Sequence, residues 1–251
     1  MKSDLTRSIQ RRWSGKVSAG GDPAIGALPI VLSLTAGSTD IIGFLGLHGL
    51  FTSHITGNIV VLAAHMVVGN PTIFSYMLSV PVFMLVLFLT RLLAGGLERA
   101  GMSTLRPLLL LQLIFLVAFL VLSITAGPWS NADALFAVIA GMFGVAAMAV
   151  QNALVRISLK NSPTTAVMTT NVTQFMLDLG EMLVGSDMAE VAEARSRALR
   201  TFPVIVGFTI GCGLGAAFEA VAGLWSLVLP AGLALLAFAM GLVRSPERTV
   251  G

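Results

Sequence analysis

Charge is what this sequence has least of. Asp, Glu, Lys and Arg make up 11% of its 251 residues, against 56% hydrophobic residues. A soluble globular chain carries about 25% charged residues, so a water-soluble domain is excluded as the main architecture. Cysteine is nearly absent as well. Cys212 stands alone inside an apolar run, which rules out an internal disulfide and reads as a small buried residue. Only three histidines accompany it, His48, His54 and His65, and their spacing matches no metal motif. No metal and no other cofactor is expected. There is no Walker A loop, no H-E-x-x-H and no G-x-S-x-G. Nucleotide-driven transport and standard hydrolase chemistry are therefore unsupported, and no enzyme is expected.

Long apolar runs dominate what is present. Six of them, over 24–47, 73–97, 106–126, 132–155, 200–222 and 224–243, are long enough to span a bilayer. Two further segments, 54–69 and 164–184, are shorter or more polar. The second carries Thr169, Thr170, Asn171, Thr173, Gln174, Asp178 and Glu181. The net charge of +3 does not point to nucleic acid, because the charges cluster between the runs. If both doubtful segments dip in and return, all 15 Lys and Arg fall on one side of the membrane. If both cross, the split is 10 to 5. Cytoplasmic connections carry the excess of Lys and Arg. The fold class read here is thus an all-α polytopic membrane protein. It has six full transmembrane helices plus two short polar re-entrant helices, with eight spans as the alternative. Both termini lie in the cytoplasm and the chain sits in the inner membrane. The basic segment 1–23 reads as a cytoplasmic tail rather than a signal peptide, and 244–251 as a cytoplasmic C-terminus.

The two short segments align with each other. At an offset of 113 residues, Thr52, Thr56 and Asn58 fall on Thr165, Thr169 and Asn171, and His65 falls on Asp178. The alignment divides the membrane part into repeats over 24–126 and 127–243. Three crossings per repeat turn the halves upside down relative to each other, the plan of many secondary transporters.

The residues Gly37-Ser38-Thr39-Asp40, Phe51 and Thr56-Gly57-Asn58, then Gln151-Asn152-Ala153 to Arg156, Thr164-Thr165 and Thr169, resemble the two signatures of the YoaK-type family. That is a bacterial membrane protein family classed as a domain of unknown function. The likeness runs from about 25 to 243. His54 stands where the pattern has Asn, and Thr170 where it has Gly. The resemblance implies a polytopic membrane protein and carries no substrate.

Polar residues in such a chain mark the candidate site. A carboxylate near a helix centre costs roughly 2.5–3.5 kcal/mol, so Asp40 has two readings. It is a proton or cation site, or it makes a structural hydrogen bond to a neighbouring helix or to the backbone of a dipping helix. Asp178 and Glu181, three apart, share a helix face and can couple protons, or Glu181 is simply wet. Thr56, Gly57, Asn58, Thr169 and Asn171 open the two short helices, either as caps or as substrate-facing turns. His65 is a relay candidate by its alignment with Asp178. Gln151 and Asn152 precede the second short helix as Asp40 precedes the first. Arg156 is a positive-inside anchor or a partner for Asp178. Gly207, Gly211 and Gly215 form a stripe for close helix packing.

The expected function is a secondary transporter or permease for a small solute, with proton coupling as the sharper version. Asp40, Asn58, His65, Asn152, Asn171 and Asp178 would line a site near the midplane. The alternative is a non-transporting membrane protein, a regulator or stress and interaction factor. The expected partners are the lipid bilayer and an unidentified small solute, with self-association left open.

Overall fold

The computed structural model describes residues 23–69, 74–127 and 134–243. The basic tail up to residue 22, the C-terminus over 244–251 and most of the connections expected at 70–72 and 127–131 lie outside the described residues. Eight α-helices follow in order: α1 Pro23–Gly46, α2 Ile55–Val68, α3 Phe74–Arg99, α4 Leu105–Ala126, α5 Leu135–Ser158, α6 Met168–Val184, α7 Met188–Ala222 and α8 Val228–Val243. No strand occurs among the described residues. Five helical stretches are long and apolar enough to cross a membrane: Gly26–Gly46, Phe74–Arg99, Leu105–Ala126, Leu135–Ser158 and Met188–Val243. The last is α7 and α8 joined by a tight 3-10 turn over Gly223–Leu227. Gly223 takes φ 56°, a value that favours glycine. The molecule is a helical protein of membrane type, and its outer surface agrees. Phe88, Leu89, Leu183 and Val221 are all exposed.

One expectation is corrected. Residues 185–200, which lie between the segment 164–184 and the apolar run 200–222, are expected as a cytoplasmic loop, yet α7 begins at Met188. Asp187 caps it by accepting from Ala189 N at 2.7 Å. Glu190 sits in the first turn, where a negative charge suits the helix dipole. Glu193 and Arg197 pair at i,i+4. Charge here does not end a helix; it extends an apolar one by three turns.

Side-chain contacts fix the relative directions of the helices. Gly207 lies on Ile30, Gly211 on Leu34 and Gly215 on Ser38, so α7 runs parallel to α1. Phe74 and Leu78 of α3 share a groove with Leu135, Val138 and Ile139 of α5, so those two helices are also parallel. Gly141 of α5 meets Leu47 and Leu50, just past the end of α1, whereas Gln151 reaches Leu32; α5 therefore opposes α1. Arg106 of α4 donates to Gly241 O and Leu242 O, both at 3.1 Å, so α4 opposes α8. Thr104 and Ser158 meet at 2.8 Å and set α4 against α5. It follows that every described Lys and Arg, from Arg91 to Arg200, lies toward one end of the bundle, here called the arginine end. His48 marks the opposite end.

Helices α1 and α5 form the middle of the bundle, with 67% and 78% of their apolar windows buried, against 17% for α3. They are lined with Ala, Gly and Ser, which lets backbones approach closely. Three apolar layers stack along them. Leu32, Leu108 and Leu154 lie toward the arginine end, Ala36, Leu116 and Met148 in the middle, and Ile42, Leu50 and Phe119 toward the His48 end.

The glycine stripe of α7 makes backbone contact with α1, as its spacing suggested. A Cβ on Gly211 would fall on the backbone of Leu34, while one on Gly213 would meet nothing within 4 Å. Gly211→Ala should therefore lower the melting temperature in detergent by an amount worth about 1–3 kcal/mol of overpacking. Gly213→Ala should be neutral or slightly stabilising. Equal effects at both positions would contradict this packing.

Candidate functional site

The chain does not cross straight from α1 to α2. After Gly46 it reverses, with His48 at φ 55° and Gly49 at φ 100°. Residues 50–54 then run back alongside α1 until Thr52, Ser53 and His54 reach Asp40. Asp40 precedes the last residue of α1 by six positions, about 9 Å of helix rise. From there α2 climbs back to the end it came from. Tyr76, at the start of α3, donates to His48 O at 2.6 Å and packs edge-on against His65 near the end of α2.

The buried reversal has backbone groups that need partners, and Asp40 and Asn58 supply them. Asp40 Oδ1 accepts from Thr52 N at 2.8 Å, Ser53 N at 2.7 Å and Thr52 Oγ1 at 3.2 Å. Its Oδ2 pairs with His54 Nδ1. Asn58 Oδ1 accepts from Phe51 N at 2.9 Å, and its Nδ2 donates to Phe51 O at 2.7 Å and Ser79 Oγ at 3.0 Å. The Thr52 methyl fits between two glycines, since a Cβ on Gly43 or on Gly144 would stand 2.9 Å from it.

A second reversal follows α5. Residues 159–167 turn back until Thr165 lies beside Gln151 and Ser33, and Ala166 is buried among Ala36, Leu116 and Ala147. Gln151 Nε2 donates to Thr165 Oγ1 and to Leu32 O, both at 2.8 Å, and its Oε1 accepts from Gln112 Nε2 at 2.7 Å. Asn171 repeats the work of Asn58. Its Nδ2 donates to Thr164 O at 2.6 Å, seven residues back, and its Oδ1 accepts from Thr164 Oγ1 at 3.0 Å. α6 then returns antiparallel to α7, with Phe175 stacked on Phe202 and Asp178 bound by Arg197.

The two reversals enter from opposite ends. On α1 they touch Asp40 and Ser33, and on α5 Gly144 and Gln151. Each pair is seven residues apart, so the tips approach to about 10 Å along the axis. Ala166 of the second reversal packs there into the middle apolar layer with Ala36, Leu116, Ala147 and Met148. Thr35, Ser38 and Thr39, although buried there, donate back to carbonyls of their own helix.

The candidate residues from the sequence therefore separate into groups. Asp40, Asn58, Gln151 and Asn171 hold the reversals. Thr56 and Thr169 are exposed, and neither short helix has a side-chain cap. Gly57 makes room for the Phe51 ring, 3.0 Å from where its Cβ would be. Asn152 donates to Met148 O within its own helix. His65 packs at the His48 end, far from Asp178. Asp178 is buried near the arginine end. Its Oδ1 accepts from Arg197 Nε at 3.0 Å, Arg197 Nη2 at 2.8 Å and Gln174 Nε2 at 2.9 Å, and Oδ2 has no partner among the described residues. Arg156 is exposed, so Arg197 takes the role weighed for it. Glu181 is half-buried beside Gly185. Arg197 precedes Gly215, which packs against Ser38, by 18 residues, about 27 Å of rise. Asp40 and Asp178 cannot line one midplane site.

Other participants lie outside the sequence expectations, among them Gln112, Ser33, Ser79, His54 and Arg197. Gln112 is the amide inside the run 106–126 and was findable as a lone intramembrane polar residue. The spacing of 14 between Asp40 and His54 follows no helical period, because the chain reverses between them.

Replacing Asn171 by Ala leaves Thr164 O without its donor, a loss of about 1–3 kcal/mol. Amide exchange in 159–168 should rise while α7 stays protected. Asn58→Ala should do the same over 50–55. Unchanged exchange in both variants would contradict the clamp roles.

A family model described as "Protein of unknown function (DUF1275)" matches residues 28–240, which include every site residue named above. No curated protein and no solved structure matches the chain.

Proposed function

The chain belongs to the DUF1275 family, and from that premise we propose that it is a secondary transporter or permease for a small solute, built from two inverted repeats. Each repeat has three spans and one re-entrant helix: α1 to α4, then α5 to α8. The pairings support this division. α1 packs on α7 as α5 packs on α3, α4 on α5 as α8 on α1, and α2 on α3 as α6 on α7. Asn58 and Asn171 each clamp a carbonyl seven residues back. The arginine end would face the cytoplasm by the positive-inside rule, with the chain in the inner membrane.

One observation carries the transport reading. Two broken helices reach the centre of the bundle from opposite ends and stop about 10 Å apart, at the level of an apolar cluster of Ala36, Leu116, Ala147 and Met148 into which Ala166 of the second reversal packs. Non-helical backbone at membrane depth is tolerated where it is buried in protein or lines a cavity, and such breaks are where transporters place their sites. Rocking of one half against the other would open that layer to each side in turn. The Asp178–Arg197 pair would act as a latch holding α6 to α7 at the arginine end.

A second reading, a non-transporting regulator or interaction factor, has its own support. Asp40, Asn58, Gln151 and Asn171 already spend their hydrogen bonds on the protein's own backbone and side chains.

Uptake of a solute panel into proteoliposomes separates the two. The transport reading expects at least one solute to accumulate, with Asp40→Asn and Asp178→Asn each lowering its rate by about tenfold or more, the ~1.4 kcal/mol scale of a lost charged contact. Unchanged rates in both variants would remove the assigned roles. No movement of any solute, with a stable partner on pull-down, would favour the second reading.

A further inference from the structure

Asp40 and His54 form a pair whose two members are placed very differently. The carboxylate is enclosed, with 5% of its side-chain surface exposed, whereas 40% of the His54 side chain is open. Three donors from Thr52 and Ser53 converge on Asp40 Oδ1, and Oδ2 faces His54 Nδ1. The imidazole is thus the exposed member of the pair and the carboxylate the enclosed one. The ring lies edge-on to Phe51 of the reversal and to Phe208 of α7. It thus stands at the seam between the start of α2 and the helix that packs along α1.

We infer that this pair is a proton-binding site, with His54 as the group that takes and releases the proton and Asp40 as its anchored partner. In the neutral ring, Nδ1–H donates to Asp40 Oδ2 and Nε2 holds the free lone pair. A proton arriving from water bonds at Nε2 and gives the imidazolium. Release reverses the step, and no other bond changes. The Nδ1–H to Oδ2 bond persists through both states, so the reversal stays held while the charge of the pair changes by one. That change falls against the apolar flank of α7, where electrostatic effects are little screened.

The groups facing the pair are few. On its own segment, Ser53 Oγ lies 3.4 Å from Nδ1. α7 presents Phe208 and Cys212, the latter bonded to Gly37 O. α5 presents Gly144 to Thr52. α7 also carries Glu219, which lies beside Gly46 and accepts from Ser226 Oγ. Asp40 is thus the one carboxylate in contact with His54 among the described residues. Use of the bound proton as a coupling ion rests on the transport reading; the binding site itself does not.

The test uses full-length protein in nanodiscs with ring-15N histidine, the His54 signals being assigned by their loss in His54→Asn. That variant keeps a side-chain donor for Asp40 without a titratable ring. The wild-type ring should pass from neutral to protonated in one step, and its proton affinity should fall about tenfold or more in Asp40→Asn. A His54 ring that does not titrate between about pH 5 and 9, or a folded Asp40→Asn protein with the wild-type midpoint, would overturn the inference. Should Asp40→Asn fail to fold, proton uptake after a pH jump decides. Wild type should bind about one proton per chain more than His54→Asn, and equal uptake would overturn the site. A titrating His54 in a protein that moves no solute would reject the transport reading alone. Solute uptake with a silent His54 would reject only the proton site.

Discussion

Everything in this bundle depends on satisfying backbone groups where the chain turns back inside it. A helix that spans hydrocarbon satisfies its own N–H and C=O groups; a reversal does not, and each unpaired group costs several kcal/mol. Among the described residues the chain makes two such reversals, at 47–54 and 159–167. One buried carboxylate and two asparagines bond backbone groups of these segments, and one glutamine holds the Thr165 hydroxyl. Their placement explains why polar residues appear in α1, α5 and the two short helices, and why the rest of the sequence is so poor in them.

The packing follows from the same constraint. Room for a non-helical segment of backbone beside α1 and α5 requires small residues on both. Gly43 and Gly144 give it at one reversal, and Ala36 and Ala147 at the other. The stripe of Gly207, Gly211 and Gly215 then draws α7 onto α1. Phe208 is thereby brought to His54. On the proposed reading, the outcome is a bundle closed at its middle by an apolar layer around Ala36, Leu116, Ala147 and Met148, with one reversal reaching it from each end.

Much of this was legible in the sequence. The apolar runs locate the long helices to within a few residues, apart from the charged extension of α7. The offset of 113 residues picks out Asn58 and Asn171, and the structure gives both the same hydrogen-bonding task. What the sequence concealed are contacts that depend on chain reversal. A helical period says which residues share a face; it cannot say that His54 returns to Asp40, nor that an arginine in an apparent loop, Arg197, belongs to a helix and binds Asp178. The threonines of the Thr-x-Asn starts misled for a related reason. Position at a helix start suggests caps or substrate-facing turns, but the asparagine reaches backward to the preceding segment and leaves Thr56 and Thr169 exposed.

The central claim is that α2 and α6 return to the ends from which they entered. Sidedness of single cysteines tests it most directly, placed in a Cys212→Ala background and probed with a membrane-impermeant thiol reagent. His48→Cys and Val68→Cys flank α2, and Ser103→Cys and Ser186→Cys lie toward the arginine end; all four positions are exposed. The account predicts that 48 and 68 react from one face of the membrane and 103 and 186 from the other. Labelling of 48 and 68 from opposite faces, with 103 on the side of 48, would mean that α2 crosses, and would contradict it.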